Sequence, residues 1–269
     1  MTQECIAKLY NRTLEYQPKK EKLAKCKSFP ALEEYISYLS GLSPIENNFK
    51  IALDSVNAKG SLIAPALLNE LNQSFVINNE DLDDTFPNHH TDPTVASNMK
   101  QLSELVTNEG ADLGIGFDGG SDRIGVVDDK GRFIPGDILI ALSAQDLLIK
   151  NQGASVVIEV KSSQLLIDTI EKSGGQAQMS MVGHSFIKQK IKETNALLAV
   201  ELSGHMFFCD DYYGFDDAFY CMLRLIKLIS EQSEKLSDLI DAFTVYYNTL
   251  KIHLQFGSDK DKFDTLKEI

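Results

Sequence analysis

Apolar positions along the chain follow two rhythms that alternate from about residue 49 onward. Short runs at 50–54, 74–77, 155–160, 176–181 and 197–202 are bounded by polar or glycine-containing segments, which predicts strands. Between them lie longer stretches with apolar side chains three and four apart, at 61–71, 94–107, 136–150, 163–172, 184–193 and 216–231. The spacing of Ile138, Leu139, Leu142 and Leu147 shows the pattern, which predicts helices. The same order of elements runs twice, with the joint near 136–152. Strands separated by helices of this length need crossover connections, so the class is α/β with two similar units in tandem. Ahead of them, 1–16 is amphipathic, with Ile6, Leu9 and Leu14 near one face and little to pack on. Residues 17–34 are lysine-rich, hold Pro18 and Pro30, and predict a linker before a helix at 31–39. At the other end, 251–256 alternates as a strand and 259–269 begins a helix.

The central stretch, Gly114-Ile115-Gly116-Phe117-Asp118-Gly119-Gly120-Ser121-Asp122-Arg123-Ile124-Gly125-Val126-Val127-Asp128, changes this picture from architecture to chemistry. One apolar run ends in a carboxylate, a tight loop of small and charged residues follows, and a second apolar run resumes, so two strands joined by a functional loop are expected. Asp118 and Asp122 flank Gly-Gly-Ser, and small residues let the backbone curl until oxygens share one hard cation. Arg123 adds a guanidinium for an anion, and a divalent ion beside a guanidinium is what phosphoryl chemistry requires. A solvated Asp- and Gly-rich turn accounts for the same residues equally well. An EF-hand does not, because its sixth position, where glycine is needed, is Arg123.

Charge and cysteine usage narrow the class. The formal net charge of -13 over 269 residues argues against nucleic acid or an acidic membrane surface as partner, since both demand a basic face. With 43% hydrophobic and 24% charged residues the chain is an ordinary globular one with room for two domains. Cys5, Cys26, Cys209 and Cys221 show no paired metal-site spacing, and no apolar run approaches the roughly 20 residues of a membrane span. A cytoplasmic location is expected.

Three further stretches carry polar chemistry. In Phe86-Pro87-Asn88-His89-His90-Thr91-Asp92-Pro93, adjacent histidines seldom aim at one ion, which favours a loop-structuring role. In Val182-Gly183-His184-Ser185-Phe186-Ile187-Lys188, a glycine precedes a helix start that would attract anions, with an ordinary helix entry as the plain alternative. In Val200-Glu201-Leu202-Ser203-Gly204-His205, a strand ends in a carboxylate, a hydroxyl and an imidazole, which suits recognition of sugar hydroxyls. A Ser-His hydrolase pair lacks the nucleophile-elbow spacing.

In this order the four motifs, Phe-Pro-Asn-His-His-x-Asp-Pro, Phe-Asp-Gly-x-x-Asp-Arg, Val-Gly-His-Ser-Phe-Ile-Lys and Glu-x-Ser-Gly-His, resemble the α-D-phosphohexomutases, specifically the phosphomannomutase/phosphoglucomutase group. The resemblance implies a magnesium-dependent isomerase of carbohydrate metabolism. Such an enzyme moves a phosphoryl group between C1 and C6 of a hexose through a phosphoserine and a bisphosphorylated intermediate, with Mg²⁺ on the phosphoserine. It also implies two tandem three-layer α/β domains with mixed sheets flanked by helices. Residues 1–44 would be a remnant of a domain-one helix plus linker, 45–150 domain two, 151–250 domain three, and 251–269 the start of domain four. By the same match Asp118 and Asp122 stand at metal-ligand positions and Arg123 near the phosphoserine. Lys161 and His184 stand at active-site positions of domain three, and Glu201, Ser203 and His205 in the sugar-recognition loop.

Departures from the family pattern set further expectations. The family loop reads Asp-Gly-Asp-x-Asp-Arg, and its middle aspartate is Gly120 here, so Mg²⁺ should be weakened or lost. The early glycine-rich turn reads Asn57-Ala58-Lys59-Gly60. The Thr-Ala-Ser-His-Asn-Pro segment that carries the phosphoserine does not occur in these residues, nor does an Arg-x-Ser-Gly-Thr-Glu-Pro phosphate loop. The expectation is a truncated family chain, inactive alone. The alternatives are a non-catalytic sugar-phosphate-binding or interaction module, or half of a split mutase. Faces that would pack against missing domains are expected to favour self-association.

Overall fold

The computed structural model describes residues 3–17, 26–244, 257–258, 261 and 264–265. The strand expected over 251–256, and nearly all of the helix expected over 259–269, lie outside the described residues. The first half contains α1 (Gln3–Glu15), α2 (Ala31–Leu42), β1 (Lys50–Asp54), α3 (Gly60–Glu70), β2 (Ser74–Asn78), α4 (Lys100–Glu109), β3 (Leu113–Phe117), β4 (Ile124–Asp128) and β5 (Phe133–Ile134). The second contains α5 (Gly136–Lys150), β6 (Ser155–Glu159), α6 (Gln164–Lys172), β7 (Gln176–Ser180), α7 (His184–Thr194), β8 (Leu198–Val200), β9 (Met206–Phe208), α8 (Ala218–Ser230) and α9 (Leu236–Asp241).

Both sheets are wound alike. The first has the order β2-β1-β3-β4-β5 and the second β7-β6-β8-β9. In each, the first strand (β1 or β6) lies between two parallel partners, and the third strand (β3 or β8) turns back into an antiparallel one.

Period-two alternation on these strands builds the layers. Ile51 and Leu53 of β1, Val126 of β4, Val156 and Ile158 of β6, and Met206 and Phe208 of β9 all point into one continuous core. That core also takes Leu39 of α2, Leu67 of α3, Leu147 of α5, Leu166 of α6 and much of α8, so these helices fill the space between the two sheets. The intervening residues face outward. Ala52 and Val127 meet Met99, Leu102 and Val106 under α4, whereas Val157, Ala199 and Phe207 meet Ile187 of α7. The tandem units are therefore not separate bodies on a string, because their inner faces share the same buried helices. The inner strands β1, β3, β4, β6 and β8 bury both faces, which is why they read as near-continuous apolar runs, whereas the edge strands β2 and β7 stay partly exposed.

Polar ties reinforce the junction. The Tyr35 and Tyr212 hydroxyls donate to Asp217, which also accepts from the Phe219 and Tyr220 amides and so caps α8. Arg132 bridges Asp128 and Asp241 at 2.7 and 2.8 Å, and the Ser237 amide donates to Asp129. Phe117 at the end of β3 packs on Phe219 with ring centroids 5.1 Å apart.

Local departures from expectation have local causes. The helix expected from residue 94 starts later, with a 3-10 turn at Ala96–Met99 and α4 from Lys100. Asp92 accepts from both the amide and hydroxyl of Thr94, which holds the chain in a turn there. The helix expected from 216 starts at Ala218 because Asp217 is its cap. The short β5, β9 and α9 were not expected. Residues 4–15 of α1 are exposed, including Ile6, Leu9 and Leu14, in keeping with a helix that has little to pack on.

Candidate active-site cleft

Four acidic residues stand where parallel strands stop: Asp54 closes β1, Asp118 follows β3, Glu159 closes β6 and Glu201 follows β8. In open α/β sheets ligands bind in the crevice beyond the carboxyl ends of the strands, and here two such edges meet. The loop after β3 touches the loop after β8. A Cβ on Gly204 would lie 3.3 Å from the Ile124 carbonyl oxygen and 3.4 Å from the Arg123 Cβ. Gly204 has φ +94°, which together with this close approach requires glycine.

In the first loop Asp118 is spent internally. Its Oδ1 accepts from the Asp122 and Arg123 amides at 2.9 and 3.2 Å, and its Oδ2 accepts from Nε and Nη2 of Arg123, both at 3.2 Å. Burial pushes the Asp118 carboxyl up, but hydrogen bonding from Asp122 and Arg123 and the guanidinium charge outweigh it and hold it below its usual range. Asp122 moves the other way, raised by burial and by its neighbour Asp118. Arg123 also reaches Asp92 at 3.5 Å. A Cβ on Gly120 would stand 3.3 Å from an oxygen of Asp122 and 3.4 Å from one of Asp118, so the missing side chain lies between the two carboxylates.

In the second loop the turn from Glu201 to His205 is closed by two backbone bonds, Glu201 N to His205 O and Gly204 N to Glu201 O, each 3.0 Å. Buried Glu201 is fixed on one side, where its Oε1 accepts from the Gly183 amide at 2.9 Å. Gly183, at φ +120°, is the entry to α7 that presents His184. The other oxygen, Oε2, lies 3.2 Å from His184 Nε2 and 3.3 Å from His205 Nδ1. Ser203 Oγ is 3.0 Å from the same His205 nitrogen. The two imidazoles meet edge to face, with centroids 4.4 Å apart. Burial opposes the charge on Glu201, yet His205, the Gly183 amide and His184 hold its carboxyl below the usual value. Burial also opposes protonation of His205, but Glu201, Asp122 and Asp216 outweigh it and raise the imidazole above 6.5.

The structure thus brings Asp122, Arg123, His184, Glu201, Ser203 and His205 to one cleft, with Asp122 Oδ2 3.5 Å from His205 Nε2 across the two halves. Lys161 stands at its edge, half-exposed, 3.2 Å from Glu159, whose other oxygen is buried without a hydrogen-bond partner among the described residues. Glu159 accepts from the Leu202 amide and so ties β6 to the loop after β8. His89 and His90 do not converge: His89 joins Asp54 at 2.9 Å, while His90 accepts from the Asp92 amide. Asp216 was missed by sequence reasoning. It lies 3.1 Å from His184 Nδ1 and 3.0 Å from Lys188, and forms a second convergent set with Asp122 and His205. Its only signal was a pair of carboxylates before a helix, which reads as an ordinary cap.

Comparison with known proteins fits this geometry. Residues 33–131 match the family description "Phosphoglucomutase/phosphomannomutase, alpha/beta/alpha domain II", and residues 135–246 match that for domain III. The chain is 37% identical over 235 residues to a phosphomannomutase/phosphoglucomutase of Pseudomonas putida, covering 87% of this chain and 50% of that protein. It is 37% identical over 240 residues to a phosphoglucomutase of Neisseria meningitidis, covering 88% and 51%. A crystal structure of a phosphoglucomutase/phosphomannomutase family protein from Burkholderia thailandensis superposes with a TM-score of 0.85 at 30% identity, covering 93% of this chain and 54% of that one. The chain spans about half the length of the curated relatives it matches.

Proposed function

The chain belongs to the phosphoglucomutase/phosphomannomutase family, and from that premise we propose that its cleft holds a hexose phosphate, with Glu201, Ser203 and His205 on the sugar hydroxyls. The observation that carries this reading is the assembly of those three side chains with His184, beside Asp122 and Arg123 of the other half. A buried carboxylate held by a backbone amide keeps one oxygen facing two imidazoles, a mixed donor and acceptor surface that neighbouring hydroxyls of a hexose can satisfy. Arg123 and Lys161 supply positive charge for the phosphoryl group, Arg123 with its guanidinium oriented by Asp118. His184 supports the same site from the start of α7.

Family members are generally magnesium-dependent, and Asp118 and Asp122 are the residues that would meet the ion. They fit it poorly. Asp118 has both oxygens engaged, and Gly120 offers no third carboxylate where one would fit. We therefore assign only weak magnesium binding to this loop. A covalent phosphoryl relay needs a nucleophile, and these 269 residues include no serine in the family's phosphoserine motif. The polypeptide is accordingly assigned hexose-phosphate binding without mutase turnover of its own.

No helix among the described residues is long and apolar enough to cross a membrane. Cys26, Cys209 and Cys221 are free thiols, which accords with the cytoplasmic location we assign. The exposed apolar side chains of α1 support self-association. The test pairs calorimetric titration of glucose 1-phosphate and mannose 1-phosphate with a coupled mutase assay containing a bisphosphate activator. Binding that is lost in Glu201→Gln, with no turnover above background, is expected. Absence of binding by either sugar phosphate, or turnover from the pure polypeptide, overturns the assignment.

A further inference from the structure

The polar cluster at the domain-three end of the cleft has a geometry that hydroxyl recognition does not require. Three potential ligand atoms, His184 Nε2, His205 Nδ1 and Glu201 Oε2, all lie within 4.8 Å of one another. Two edges of this triangle, from Oε2 to each imidazole nitrogen, are 3.2 and 3.3 Å. Ligand atoms about 2.0–2.1 Å from a tetrahedral zinc ion stand about 3.3 Å apart, so these edges already have the length that such an ion imposes.

The far side of each ligand is also anchored. His184 Nδ1 faces Asp216 Oδ2 at 3.1 Å, and His205 Nε2 faces Asp122 Oδ2 at 3.5 Å. Glu201 Oε1 accepts from the Gly183 amide at 2.9 Å. Imidazoles that ligate metals hand their second nitrogen to a carboxylate or carbonyl, which fixes the ring and raises its basicity, and both histidines have that partner in place. Asp216 is in turn held by Lys188 at 3.0 Å.

We propose that His184, Glu201 and His205 bind a divalent transition-metal ion of the zinc class through those three atoms, with the fourth position open to the cleft. Two imidazoles and one carboxylate are a borderline donor set that suits zinc or cobalt, whereas magnesium takes oxygen ligands and keeps its water. The opening is on the His184 side, where that side chain is 40% exposed while Glu201 is 4% exposed. The Ser203 hydroxyl, 3.0 Å from His205 Nδ1, yields that nitrogen to the ion. One consequence rests on the proposed function: the ion occupies the atoms assigned to sugar hydroxyls, so metal and hexose phosphate exclude each other.

The test uses the full chain in chelator-treated buffer, titrated with Co²⁺ alone and followed by visible absorption. One equivalent giving the intense bands of four-coordinate cobalt, without the sulfur charge-transfer bands of a cysteine ligand, is expected. His184→Asn, on a half-exposed side chain, should weaken Co²⁺ binding at least tenfold, and Asp216→Asn about 10–100-fold as an outer partner. His89→Asn should leave Co²⁺ binding unchanged, and thermal melting of each variant without metal checks folding. Absence of four-coordinate bands in the wild type overturns the site. So does their persistence in folded His184→Asn, which would place the ion on Asp122, His205 and Asp216 instead. Adding glucose 1-phosphate should raise the apparent Co²⁺ dissociation constant. If it does not while the His184 dependence holds, the metal site stands and the hexose-phosphate reading falls.

Discussion

The loop after β3 and the loop after β8 occupy equivalent places in two sheets of the same topology, each following the strand that turns back into an antiparallel partner. The first holds two carboxylates and an arginine, the second a carboxylate, a hydroxyl and, with α7, two imidazoles. In the first, Asp118 gives all its accepting capacity to its own loop, through two amides and a guanidinium. In the second, Glu201 gives one oxygen to the backbone and leaves the other at the meeting point of His184 and His205. A census of acidic residues would rank the first loop as the stronger cation site. What counts is which oxygens remain after the loop has satisfied itself, and by that measure the second is better equipped.

The largest expected effect tests whether the two halves can be compared as parts of one body. Phe219 of α8 packs on Phe117 of the first sheet and on Tyr35 of α2. Phe219→Ala should cost about 3–5 kcal/mol and lower a single unfolding transition seen alike by circular dichroism and tyrosine fluorescence. Two separate transitions would show that the halves stand alone.

Adding a carboxylate at position 120 sharpens the contrast directly. Gly120→Asp should show a larger magnesium-dependent rise in melting temperature than the wild type, equivalent to about 1.4 kcal/mol when free Mg²⁺ reaches tenfold the variant's dissociation constant. Without Mg²⁺ the variant should be less stable than wild type, because a third anion joins two others. Equal Mg²⁺ response in both proteins would mean that the loop is not limited by this residue.

Acidity separates the loops in a third way. The raised His205 contributes stability that is complete below its ordinary 6.5 and is lost as pH climbs through its higher folded value. The lowered Glu201 contributes above its ordinary 4.5 and loses that contribution as pH falls through its folded value. In the first loop, lowered Asp118 and raised Asp122 act in opposite directions and partly cancel. In metal-free buffer the stability advantage of wild type over His205→Gln should therefore shrink from about pH 6 to about pH 8. An advantage that grows over that interval would contradict the assignment of charges around His205. The smallest effect belongs to neither loop. Leu9→Ala in α1, where the leucine is 52% exposed, should change stability by less than about 0.5 kcal/mol in monomeric protein.

Much of the scaffold could be read from residues alone. β1 and α5 begin and end where periodicity puts them, because long apolar patterns bounded by polar residues carry their own length signal. β5, β9 and α9 carry no such signal, being two, three and six residues long. They exist because β4, β8 and the Asp128–Asp129 turn supply partners. Glu201, Ser203 and His205 were legible as a trio since one tight turn holds all three. Asp216 was not, because its role comes from α7 reaching across to it.

Local sequence determined which residues form strands, that carboxylates end four of them, and that Gly120 leaves a gap between Asp118 and Asp122. Those properties depend on neighbours a few positions away. Only the packed molecule decided that Asp122 meets His205 and that Asp216 backs His184, distances set by two sheets closing on the same buried helices. It also decided how Asp118 is used, since the choice between a free oxygen and one bound to Arg123 depends on how the loop closes and desolvates, which no spacing rule specifies.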